Sequence, residues 1–107
     1  MNKEKLRFSH IGIPTADREL PIYAEGIKVH LNNFADEAYN VEWLRFEPGS
    51  PLPEILKTTA HVAYEVDDLD EALQGEKVIV APFEGGPNLT CAFIEADGYA
   101  VELMKRG

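Results

Sequence analysis

The stretch Tyr39–Leu44 reads YNVEWL, and the stretch Tyr99–Met104 reads YAVELM. Tyr, Val and Glu recur at the same offsets, so Glu42 and Glu102 hold equivalent places in two strand-like hexapeptides. Behind each glutamate, in an apolar segment, stands a histidine: His10 in FSHIGI and His61 in TAHVAY. The 107-residue chain reads as two copies of one unit, and such self-similarity constrains a fold more than any single segment does. The second His-to-Glu interval is longer than the first, with room for one more strand.

The segments between these landmarks follow the same plan. Residues 7–13 alternate as a strand does. Thr15 is a helix cap candidate, and the sequence predicts a short helix over 16–20, cut by Pro21. Strands are expected over 27–34 and 39–46, joined by a turn at Asp36–Glu37. The proline-rich run 47–54 suits neither helix nor inner strand and reads as the boundary between the halves. The second half opens with a strand over 59–66. Asp68 and Glu71 then form a capping-box pattern for a helix that Gly75 ends. Strands over 78–80, 89–95 and 99–105 complete it, with a loop at 84–87 and a hairpin turn at Asp97–Gly98. The expected architecture is α+β. Two βαβββ-type modules, about 6–47 (trimmed) and about 58–106, make one domain with a cupped mixed sheet and helices on its outer face.

Side chains alternate between the two faces of a strand. His10 therefore shares a face with Phe8 and Gly12, His61 with Ala63 and Glu65, and Glu102 with Ala100 and Met104. The opposite faces carry Ile11 and Ile13, then Val62, Tyr64 and Val66, then Val101 and Leu103. The aliphatic faces are expected to pack on helices and the His/Glu faces to share a concavity. Two imidazoles and two carboxylates on rigid strands suit a divalent cation such as Zn, Ni, Co, Fe or Mn. A lone strand histidine is usually surface or hydrogen-bonded core, so it is the joint pattern that carries weight. His30 has no counterpart in the other half and reads as such an ordinary residue. Glu47 and Glu65 are spare carboxylates, with Glu47 the substitute if Glu42 points away.

The net charge of −9 disfavours nucleic acid and anionic membranes as partners. No run is apolar enough for a signal peptide or membrane span, so a cytoplasmic protein is expected. Cys91 is the one cysteine and reads as a small apolar strand residue rather than a redox or metal group.

HIGIP at His10, HVAYEVDDLDEAL at His61 and GGPNLTCAFIEADGYAVELM ending just past Glu102 resemble the vicinal oxygen chelate superfamily. This is the glyoxalase/bleomycin resistance/dioxygenase group, and the likeness spans nearly the whole chain. It implies a metal held by His10, Glu42, His61 and Glu102, a set similar to that of bacterial lactoylglutathione lyases. Methylmalonyl-CoA epimerases look similar but usually have Gln in the second place. The resemblance implies a metal-dependent lyase or isomerase acting on a small oxygen-chelating substrate: a 2-hydroxy carbonyl, a hemithioacetal or an acyl thioester. Glu102 or Glu42 would move the proton, and Phe8, Leu44, Phe46 and Met104 would line the cup. Arg7, Arg18 and Arg45 are scattered, so no basic cluster for glutathione or coenzyme A is evident. The alternative is a metal-free small-molecule binder of the bleomycin-resistance kind. A homodimer is expected, because open sheets leave edges to cover.

Overall fold

The computed structural model describes residues 5–107. The chain divides into two compact units, residues 10–61 and residues 62–107 together with the start of the first strand up to Ser9. The first half holds β1 (Arg7–Pro14), β2 (Ile22–Ala24), β3 (Val29–Leu31) and β4 (Val41–Phe46). A single 3-10 turn at Phe34–Asp36 precedes β4, and α1 (Glu54–Thr58) follows it. The second half holds β5 (His61–Glu65), α2 (Leu69–Leu73), β6 (Lys77–Gly86), β7 (Leu89–Ala96) and β8 (Tyr99–Arg106). Eight strands, paired both parallel and antiparallel, with few, short helices make this an α+β fold.

The duplication is visible in the strand order. The first half runs β2-β3-β4-β1 and the second runs β6-β7-β8-β5. In each, the first strand lies parallel to the last, β1 to β4 and β5 to β8, and the remaining pairs are antiparallel. The registers also correspond. Gly12 pairs with Glu42 and Ala63 pairs with Glu102. Each histidine stands two residues before the small residue that faces its glutamate.

Local chemistry fixes the second half. The Asp68 side chain accepts a hydrogen bond from the Glu71 amide at 3.0 Å, capping α2, and Asp70 and Glu71 lie in its first turn. Acidic groups there are stabilised by the exposed amides of the helix start. The β7–β8 hairpin turns on Asp97 (φ 50°) and Gly98 (φ 86°), the positive-φ pair that suits the right-handed strand twist. Leu69 and Ala72 of α2 pack on Val66, Ala92, Ile94, Val101 and Leu103, with Val62 and Tyr64 alongside. These include the aliphatic faces of β5 and β8 assigned to helix packing, whereas Ile11 on the corresponding face of β1 is exposed. Ala63, Cys91 and Met104 form a second cluster with Phe83 and Leu89. Cys91 is thus a buried apolar residue, as read.

The first half departs from expectation. No helix forms over 16–20. The Thr15 amide donates to the Leu44 carbonyl at 2.8 Å, the Arg18 guanidinium lies 3.9 Å over Trp43, and Arg45 donates to the Arg18 carbonyl. These contacts hold the segment against β4, and they outweigh a weak helix propensity that Pro21 already limits. Three strands rather than two follow β1, because Ile22–Ala24 pairs with β3. The strand expected over 27–34 shrinks to Val29–Leu31. Ile27 and Lys28 form a turn, with Lys28 at φ 54°, and Asn33 caps the 3-10 turn through its side chain. The proline-rich run gives way at Glu54 to α1, whose Leu56 is buried. β6 runs to Gly86, well past the expected 78–80.

Candidate functional site

β1 delivers His10 and Gly12 from one face, and β4 delivers Glu42 opposite Gly12. His10 is 1% exposed and His61 4%. Their rings meet edge to face with centroids 6.4 Å apart. Glu42 Oε1 lies 3.5 Å from His10 Nε2, and its side chain keeps 16% exposure. Residues 10–61 therefore bring three of the four expected ligands, His10, Glu42 and His61, into one neighbourhood. His10 is also stacked on Phe34, with centroids 4.1 Å apart and planes inclined by 21°.

The fourth residue, Glu102, lies mid-strand in β8 and is 8% exposed. Its neighbours in register are Ala63 of β5 and Phe93 of β7. Phe93 is stacked on Phe83 at 6.2 Å, with planes within 9°. A carboxylate between an alanine and a phenylalanine is costly to bury without strong polar partners. Its place on the same face as Ala100 and Met104 follows from strand alternation, and both of those are fully buried.

Among the expected lining residues, Leu44 and Met104 are buried and Phe46 is half-buried. Phe8 is not a lining residue: it is 55% exposed and packs edge-on against Tyr64, which belongs to the α2-facing cluster. Glu47 is engaged elsewhere, 2.6 Å from His30, whose ring is covered by Tyr23 at 4.5 Å. That pair accounts for His30 as a satisfied, partly buried residue. Three aromatic residues escaped the sequence reading. Phe83 and Phe93 could have been found from alternation, since Phe93 shares its face with Cys91 and pairs with Glu102. Phe34 could not, because it sits in an irregular turn.

No known protein-family model matches the chain, and no curated protein matches it in sequence. Solved structures do match. Methylmalonyl-CoA epimerase from Mycobacterium tuberculosis superposes with a TM-score of 0.67 at 20% identity, covering 94% of this chain and 88% of that one. The hypothetical protein BH1468 from Bacillus halodurans C-125 superposes with a TM-score of 0.63 at 19% identity, covering 95% of each chain. With the repeated strand order in both halves, these likenesses show that the chain shares the fold of those two structures.

Proposed function

We propose that the protein is a metal-dependent isomerase that moves a proton beside a carbonyl, with an epimerase of a small acyl thioester as the leading form. One observation carries the reading. In the unit spanning residues 10–61, the buried rings of His10 and His61 meet edge to face at 6.4 Å, and Glu42 Oε1 lies 3.5 Å from His10 Nε2. Two imidazoles and one carboxylate are a donor set for divalent Fe, Co, Ni, Zn or Mn that leaves positions open for a substrate. Two buried imidazoles beside a carboxylate fit a cation better than they fit an apolar cup, which disfavours the metal-free binder.

Bound there, the cation would act as a Lewis acid toward two neighbouring oxygens of the substrate. The chain's own residues do the rest. His10 and His61 would hold the ion, with a glutamate carboxylate as the third donor. Glu42 stands beside His10 with its carboxylate partly open. It is placed to take the proton from the carbon next to the carbonyl, and inversion is completed when a proton from solvent reaches the opposite face of the planar carbanion. Phe83 and Phe93 supply an apolar wall beside Glu102, which limits water near the carbanion-like centre. The likeness to an epimerase of methylmalonyl-CoA supports this form of the reaction.

The test is purification without chelator, elemental analysis, and incubation of metal-loaded protein with 2-methyl acyl thioesters in deuterated water. Deuterium entering the carbon next to the carbonyl supports the proposal, and a metal-loaded protein that exchanges no proton sinks it. Hemithioacetals serve as the second substrate class, whose turnover would shift the reading to a lyase. Protein that takes up no divalent ion would favour the binder instead.

A further inference from the structure

Position 12 carries glycine for a reason that the fold alone does not supply. Its φ is not in the left-handed region, so the backbone there admits any residue. The equivalent position in the second half is Ala63, which also faces the module's glutamate in register and has a Cβ without difficulty. The difference lies in what covers the two positions. A Cβ built on Gly12 falls 2.6 Å from Nε2 and 2.8 Å from Nδ1 of His61, and closer still to Cε1. Real Cβ atoms essentially never approach under 3.0 Å. The imidazole of His61 lies in the space that a side chain at position 12 would fill.

We infer that Gly12 is a positioning residue for His61: its missing side chain is the seat of the imidazole, and it fixes where that ring presents its nitrogens. The inference rests on the metal reading above for its functional consequence, but not for its geometry. A methyl group at position 12 has two outcomes available. Either the ring swings away, or β1 shifts, and β1 cannot shift without disturbing the pairing of Ile11, Gly12, Ile13 and Pro14 with β4. Ring displacement is the smaller change. An ångström-scale displacement of a metal ligand matters because coordination bonds are short and directional. Changes to residues that orient metal ligands typically cost about 10- to 100-fold in affinity.

The experiment compares wild type, Gly12→Ala, His61→Ala, the double variant Gly12→Ala/His61→Ala, and Gly26→Ala. Gly26 has open space around its Cβ direction and serves as the control. Two readouts are taken. The first is cobalt(II) titration followed by the visible ligand-field spectrum. Gly12→Ala is expected to weaken binding about 10- to 100-fold and to alter the band shape, whereas Gly26→Ala changes neither. The second is the melting temperature in chelator, which involves no metal. There Gly12→Ala should lower the melting temperature when His61 is present and have little effect when His61 is alanine. That non-additivity is the signature of two side chains competing for one space. Wild-type cobalt affinity and spectrum in Gly12→Ala would overturn the positioning role, and an equal melting loss in both backgrounds would overturn the seat itself. If Gly12→Ala fails to fold, the double variant decides: folding supports the seat and failure overturns it. If wild type binds no cobalt, the metal reading falls while the melting cycle still tests the geometry.

Discussion

His10 lies face to face with Phe34, ring centroids 4.1 Å apart. The 3-10 turn that carries Phe34 is held by the Asn33 side chain, which accepts from the Ala35 amide at 3.1 Å. A turn outside the sheet therefore steadies an imidazole inside it. Phe34→Ala should lose about 1 kcal/mol beyond the buried area removed, as stacked ring pairs do. It should also weaken cobalt binding, read by titration, while Phe34→Tyr retains both the stack and the affinity.

Glu42→Gln removes the proposed base and keeps the side-chain volume. Metal content should remain near wild type, because both imidazoles are kept and the glutamine amide oxygen can still ligate. Deuterium exchange into the substrate should fall by about 10²- to 10⁴-fold, the usual worth of a positioned acid or base. Loss of the metal together with activity would instead place Glu42 among the ligands.

Glu47→Gln tests the spare carboxylate. It sits 2.6 Å from His30 and is 41% exposed, and partly exposed pairs contribute little. Metal affinity and exchange rate should both stay within twofold of wild type, measured by titration and by turnover.

Leu103→Ala opens a cavity in the cluster beneath α2, where Leu103 is 2% exposed. A cost of about 2–5 kcal/mol is expected in urea unfolding. Asp68→Ala removes the α2 cap and should cost about 1 kcal/mol. Neither residue belongs to the His/Glu group, so in protein that remains folded the cobalt spectrum should not change.

The second half was legible because each of its signals is local. The Asp68 cap, the Asp97–Gly98 turn and the alternation of β5, β7 and β8 need no distant partner to be read. The first half was not, because its path from Thr15 to Ala24 is set by contacts with β4. Arg18 finds Trp43, and Thr15 finds the Leu44 carbonyl, pairings that no window along the chain contains. α1 was hidden for another reason: it starts immediately after three prolines in six residues, a composition that argues for loop. The four expected site residues were found through the repeat, since none stands out alone. Glu42 was not separable from Glu102 in the sequence, because the hexapeptides are near copies; in the structure they differ in burial.

The ladders on the two sides of β7 are unlike. Toward β8 it runs unbroken from Leu89↔Arg106 to Ala96↔Tyr99, whereas toward β6 the register shifts three times. A bulge absorbs an extra residue, and a regular ladder transmits it. Length drift during evolution is therefore harmless along β6 and forbidden between Tyr99 and Glu102. One inserted amino acid there would rotate the carboxylate to the helix-packed side and put a valine or leucine in its stead. Relatives that vary in size should carry their additions on the outermost strand and keep the innermost hairpin at constant length.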